Sequence, residues 1–299
     1  MSARFTVLAS GSSGNASLLQ ADGFGLLIDC GLSARQLSSR LALRGLTWRN
    51  INAVILTHTH SDHWCHSALK ALALHAVPLY CHSDHLADIG LCEHFSALRD
   101  AHLIHHYTTS VWLDVTKSLR VLPHEIAHDA EPTFAFRCEG QSGLYGSGWA
   151  VGYAADLGHW DDALVDVFAD ADVLALEFNH DEHMQKTSGR PQFLIDRVLG
   201  PRGHLSNRQG TALLAAIRER SQRPAAKGVI TLHRSSQCNT PELVEAAAKS
   251  VLQDAETPLH LAEQSRPTVT IELEARQSVQ RGKPVRRGKR TAMAGLFAE

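Results

Sequence analysis

Four apolar runs in this chain each stop on a residue that binds metals or moves protons. NAVILT leads into His58, VGYAA into Asp156, VLAL into Glu177 and VITL into His233. Runs this short and this continuously apolar read as strands buried on both faces, which needs helices covering each side of a sheet. A side chain at the end of such a strand sits on rigid scaffold and can meet others along one sheet edge. Helical stretches alternate with the strands. LSARQLSSRLALRG spaces Leu32, Leu37, Leu41 and Leu43 for a helix closed by Gly45. NRQGTALLAAIRERSQ is amphipathic, and TPELVEAAAKSVLQ opens with Thr240 as N-cap and Pro241 at the first helical position. Helices are also predicted over 67–75 and 83–97, and strands over 4–9, ASLLQ, FGLLID, VPLYC, KGVITLH and PTVTIELE. Residues 100–155 are richer in β-branched residues and short turns. No fixed-period repeat is present. Interleaving of this kind specifies a layered α/β domain.

With 299 residues, 44% hydrophobic and 20% charged, the chain can bury one large core. The net charge of −2 carries no nucleic-acid or membrane signature. The distribution says more. Arg276, Arg281, Lys283, Arg286, Arg287, Lys289 and Arg290 crowd the last stretch, which leaves an acidic body. Residues 276–299 have few core formers and are expected to be a disordered basic tail, with 1–275 as the folded domain. Counterion-releasing contact with a nucleic-acid backbone is one use for such a tail, and a solubilising end is the other. Six cysteines form no CxxC pair, the N-terminus lacks an apolar signal region, and no run approaches the roughly 18 apolar residues of a membrane span. A cytoplasmic protein with no membrane partner is expected.

The densest chemistry is ILTHTHSDHWCH. His58, His60, Asp62 and His63 fall within six residues after a predicted strand. Alternate residues of an extended turn point the same way, so His58 and His60 can share one ion while Asp62 and His63 reach a second. Imidazole and carboxylate together suit zinc or manganese rather than thiolate-seeking ions. Cys65 and His66 read as residues of a helix start. His102, His105 and His106 read as a solvated loop, and the cysteines as small buried residues.

HxHxDH, standing as His58-Thr59-His60-Ser61-Asp62-His63, resembles the signature of the metallo-β-lactamase superfamily. SGSSGN, LLIDCGLS, HDAEP, ADLG, LEFNHD, GHLSN and LHRSSQCNTPEL follow the order of its YycJ/WalJ-like branch of metal-dependent DNA nucleases. The likeness spans about residues 4–273. It implies a four-layer αββα sandwich with a dinuclear site at one edge. It also implies His58, His60 and His128 on one divalent ion, Asp62, His63 and His233 on the other, and Asp156 bridging. A hydroxide held between the two ions would attack a phosphodiester, with Asp62 orienting it and His204 touching phosphate or protonating the leaving group. Glu177, Asn179, His180, Asp181 and Asn207 would form a supporting shell or substrate wall. Arg234 and the backbone of SGSSGN would add phosphate contacts. The branch usually has glycine where His66 stands, and HLS with paired Asn where HRS and Cys238-Asn239 stand. The short interval from Asp156 to His233 leaves no room for the inserted β-CASP domain of larger nucleases. The function implied is a 5′-to-3′ DNA exonuclease, RNA being the other polymer to consider. A thioester or lactam hydrolase on the same fold and a non-enzymatic metal-loaded nucleic-acid-binding protein are the alternatives. AMAGLFAE at the end faintly resembles the short motifs by which repair proteins hold a sliding clamp.

Overall fold

The computed structural model describes residues 2–129, 132–141, 147–223, 227–252 and 257–274. The basic tail and its clamp-like motif lie outside these residues. In chain order the strands are β1 (Ser2–Ala9), β2 (Ala16–Ala21), β3 (Phe24–Ile28), β4 (Ala53–Ile55), β5 (Leu79–Cys81), β6 (Ile104–His106) and β7 (Leu113–Asp114). They continue as β8 (Leu119–Ile126), β9 (Thr133–Gln141), β10 (Ser147–Ala154), β11 (Val173–Glu177), β12 (Gly228–Leu232), β13 (Leu259–Leu261) and β14 (Ile271–Glu274). The helices are α1 (Ala34–Ala42), α2 (His66–His75), α3 (Leu86–Ile89), α4 (Phe95–Asp100), α5 (Asp162–Phe168), α6 (Glu182–Lys186), α7 (Gln192–Leu199), α8 (Asn207–Arg220) and α9 (Pro241–Lys249).

Two seven-stranded sheets result, in the orders β14-β1-β2-β3-β4-β5-β6 and β13-β12-β11-β10-β9-β8-β7. Both are mixed. Strands β3 to β6 are parallel and β14 to β3 antiparallel. Strands β10 to β13 are parallel and β7 to β10 antiparallel. The alternation of side chains along each strand divides the core in three. Phe5, Leu26, Ile55, Phe136, Trp149, Tyr153 and Ile230 fill the space between the sheets. Leu27, Val54 and Leu56 point the other way, against Leu37, Leu41, Leu69 and Leu72 of α1 and α2. Leu174, Leu176 and Val229 pack outward against Phe168, Leu213, Leu214, Ile217 and Val244 of α5, α8 and α9. That is the four-layer αββα sandwich. Both faces of the central strands are buried, so their sequences show no polar alternation.

The helix expected over 83–97 is broken. A turn at Ser83–His85 leads into α3, and α4 begins only at Phe95. Buried Ile89, Cys92, Phe95 and Leu98 recur every third residue. On an α-helix each such step drifts by roughly 60°, so a straight helix cannot bury all four. The chain turns after Gly90 instead. The last strand is also shorter than PTVTIELE, beginning at Ile271. Sequence reading assigned no element to the short α5, α6 and α7 or to β13.

Strands β3, β4, β10, β11 and β12 all end at one edge of the sandwich, where a parallel α/β sheet usually carries its site. The sheets are tied together there. Phe134 N–H donates to Thr57 O across the gap (3.0 Å); within the first sheet, the Tyr107 hydroxyl just past β6 donates to Leu56 O just past β4 (2.7 Å). Gly31 lets the 62–63 loop close on the end of β3, since a Cβ there would stand 1.8 Å from the Asp62 carbonyl oxygen. Gly31→Ala must therefore push the 62–63 loop off β3. A loss of about 1–3 kcal/mol is expected, measured by denaturant unfolding, and unchanged stability would contradict the packing described.

Candidate metal centre

The convergence at this edge begins with backbone shape. Asp29 (φ 61°), Asp129 (φ 32°), Asp156 (φ 54°) and His233 (φ 51°) adopt the left-handed region, which non-glycine residues rarely enter. Each follows a strand and turns its side chain back over the sheet edge. Strain of this kind persists only where the surroundings over-determine it. Here they do: His233 N–H donates to Ser10 Oγ (2.8 Å), Asp29 N–H to Ile55 O (2.9 Å) and Asp129 N–H to Arg202 O (2.8 Å).

Each central imidazole is oriented through one ring nitrogen. His63 Nδ1 lies 2.7 Å from Asp29 Oδ2, whose carboxylate also accepts from Thr57 N–H and Oγ1. His128 Nδ1 donates to the Gly203 carbonyl (2.8 Å). His233 Nδ1 donates to Glu177 Oε1 (3.0 Å). The opposite nitrogens of these three rings face the centre, the arrangement that metal-ligating histidines use. His58 Nε2, His128 Nε2 and His233 Nε2 are buried without a hydrogen-bond partner. Asp156 Oδ2 stands 2.6 Å from His63 Nε2, yet not in hydrogen-bond alignment; the two atoms converge on a point rather than on each other. Orphaned buried atoms cost roughly 1–3 kcal/mol each, and a cation would satisfy all of them together. His58, His60 and His128 offer donor atoms within 4.8 Å of one another, as do His58, His63 and Asp156. Asp62 Oδ2 is 3.4 Å from His233 Nε2 and 3.8 Å from His63 Nε2. The residues fit a divalent-cation site.

Asp156, Glu177, His204 and His233 form a further tight group, but its contacts run through Nδ1 of both imidazoles to one Glu177 oxygen (2.9 and 3.0 Å). That is a hydrogen-bonded brace rather than a second cage. The other Glu177 oxygen accepts from Leu157 N–H and Leu205 N–H.

The charges follow. Burial, and then His63, press His58 well below the ordinary imidazole range, and burial lowers His128. Both are neutral, as ligands must be. Burial works against the charged forms of His63 and His233, but neighbouring acids win. Asp29 and Asp156 hold His63 well above its usual value. Asp156, Asp62 and Glu177 raise His233 to about 10. Burial likewise opposes ionisation of Glu177, yet His204 and His233 bring it down to about 2. Asp156 is held well below the carboxylate range by His233 and His63.

The other expected site residues separate. Asn179 lines the cleft and donates to the His233 carbonyl oxygen (2.8 Å). Asn207 pairs amide to amide with Asn239 (2.8 and 2.9 Å) and thereby fixes the start of α8 against the 179 loop. Asp181 caps α6 by accepting from Met184 N–H, which is a structural role. His180 is buried behind Ser206 with neither ring nitrogen bonded, and burial lowers it to about 4. Arg234 lines a separate cavity. Cys65 caps α2, and His66 is exposed and stacks on Trp64. Sequence reading gave no role to Asp29, Asn15 or Thr57, nor to Arg190 and Arg197 at the cleft mouth. Asp29 ends the run FGLLI as Asp156 ends VGYAA, so the same signal marked it.

The profile of the beta-lactamase superfamily domain matches residues 25–233. Exodeoxyribonuclease WalJ of Streptococcus pneumoniae serotype 2 (strain D39 / NCTC 7466) is 26% identical over 85% of this chain and 89% of its own. Exodeoxyribonuclease YycJ of Bacillus anthracis is 26% identical over 85% and 90%. Among solved structures, the metallo-beta-lactamase fold protein YhfI from Bacillus subtilis superposes with a TM-score of 0.63 at 18% identity, covering 89% of this chain and 98% of that one. The chain belongs to the beta-lactamase superfamily, as a metal-dependent hydrolase of the metallo-β-lactamase fold.

Proposed function

We propose that the protein is a nuclease that hydrolyses DNA from its 5′ end with zinc or manganese. One observation carries the reading: the cleft over the centre, about 240 Å³, is lined almost wholly by polar and charged groups, with only Leu194 and Val198 apolar. A thioester or lactam substrate calls for an apolar pocket beside the reacting carbonyl. A phosphodiester calls for cations. Arg190 supplies one at the rim. It is half-buried and steadied by Gln237 Oε1 (2.7 and 3.0 Å) with no carboxylate partner among the described residues. Arg197 is bound to Asp129 through both nitrogens of its fork, so its charge is largely spent. The two exodeoxyribonuclease relatives support DNA as the polymer. No described helix is long and apolar enough to cross a membrane.

In this reading His58, His60 and His128 would hold one ion and Asp62, His63 and His233 the other, with Asp156 serving both. When bound, the cations acidify water and offset the charge gathering on the phosphoryl oxygens. Asp62 stays ionised, because the nearby His233 (3.4 Å) and the charge of His63 outweigh burial. It faces the cleft as an acceptor that can align the attacking water. His204 has Nδ1 committed to Glu177, which leaves Nε2 for substrate. A protonated ring donates from that atom to the departing oxygen.

End-labelled single- and double-stranded DNA with Mn²⁺ or Zn²⁺ is the direct assay. His58→Ala and Asp62→Asn should reduce cleavage to background, and activity surviving both would sink the site. Binding without cleavage under every divalent ion would favour a non-enzymatic binding protein instead. Glu177→Gln removes the brace from two imidazoles and should weaken metal affinity by about 10–100-fold, read by competition with a chelating dye. Metal uptake should also release protons, since His63 and His233 hold theirs until an ion displaces them. Affinity should therefore weaken as pH falls below about 10, as calorimetry in buffers of different ionisation enthalpy would show. A pH-independent affinity with no proton release would contradict the charge pattern.

A further inference from the structure

We propose that a second cavity beside the metal centre is a phosphate pocket that takes the terminal phosphate of the nucleic-acid strand, and so fixes where cutting starts. The proposal rests on the nuclease reading. The turn after β12 forms the partition: His233 and Ser235 line the metal cleft, while Arg234 and Ser236 line the second cavity, of about 100 Å³. Ser12 lines both, so the cavities adjoin.

Three features point to phosphate. First, Arg234 Nε is buried without a partner, and among the described residues its guanidinium makes no hydrogen bond or ion pair. The acid that feels its charge, Glu242, is fully exposed. Arg234 is half-buried, and its one buried N–H lacks an acceptor that an anion would supply. Second, no carboxylate lines the cavity. Gly11 N–H is engaged by Asn15 Oδ1 and Ser13 N–H by Gln264 Oε1, which leaves the hydroxyls of Ser12, Ser13 and Ser236 beside the guanidinium. Third, the cavity is too small for a nucleoside and suits a phosphoryl group alone. A terminal monoester carries about −1.5 to −2 charges at pH 7, against −1 for an internal diester. A site with one cation and no carboxylate therefore favours the strand end. Gly11 (φ 141°) lets the loop close over the site, where a Cβ would stand 2.7 Å from Gln264 Oε1.

The test uses the full-length, metal-loaded protein on 3′-labelled oligonucleotides bearing a 5′-phosphate or a 5′-hydroxyl. Wild type should prefer the phosphorylated end in kcat/KM by about tenfold or more, the worth of one charge-assisted hydrogen bond. In Arg234→Met the ratio between the two substrates should collapse to near one, and Arg234→Lys should restore part of it. A wild-type ratio of one, or an unchanged ratio in Arg234→Met, overturns the proposal. Thermal-shift titration with inorganic phosphate separates the two levels of the argument. Wild type should be stabilised more than Arg234→Met, and equal stabilisation also overturns it. If wild type cuts no nucleic acid, the nuclease reading fails and the strand-end assignment with it. A phosphate shift confined to wild type would then leave an anion site for free phosphate only.

Discussion

Glu177 is sealed from water, yet it carries a full negative charge. Such burial is tolerated only when every acceptor position is used. Here both are: one oxygen receives two imidazole Nδ1 groups and the other two backbone N–H groups. The consequence is directional. Because Nδ1 of His233 and His204 is taken, the chemistry of those rings is left to Nε2. Asp29 does the same for His63 on the opposite sheet. The acids that touch no substrate therefore decide which atom each histidine presents, and the centre depends on them as much as on its candidate ligands.

The two sheets share the site unequally but jointly. His58, His60, Asp62 and His63 leave β4 of one sheet, while His128, Asp156 and His233 leave β8, β10 and β12 of the other. An ion bridging these groups would clamp the sandwich at its edge. The few direct links across the gap there, such as Phe134 to Thr57, hold the sheets in register before any ion binds. Metal loading and sheet packing are thus one equilibrium seen from two ends.

Much of this was legible in the sequence because doubly buried strands leave a plain trace. An apolar run ending in Asp, Glu or His identified β4, β10, β11 and β12, and with them His58, Asp156, Glu177 and His233. The resemblance to the nuclease branch supplied His128 and His204, whose own surroundings in the sequence carry no such trace. Reading failed where the determinant was tertiary. The break at Gly90 depends on which face of the segment meets α2 and the first sheet. α6 is too polar and α7 too short to show a clear periodicity, so Arg190 and Arg197 went unread although they line the cleft. Asp181, named because LEFNHD resembles the branch, also caps α6, as an acid just before a helix does.

The arginines around the centre show how position, rather than count, sets what a charged cleft can bind. Arg197 is paired to Asp129 and works as a strut between α7 and the His128 loop. Arg190 and Arg234 have no acidic partner among the described residues, and they line separate cavities that share Ser12. Two unspent cations flanking a cluster of ion-binding groups define a path for a chain of repeated negative charges. The reacting carbonyl of a small acyl substrate gains little from a second cation outside its own pocket. The spacing of unpaired charge, more than the ligand set shared across the superfamily, therefore argues for a polymeric anion as the substrate of this chain.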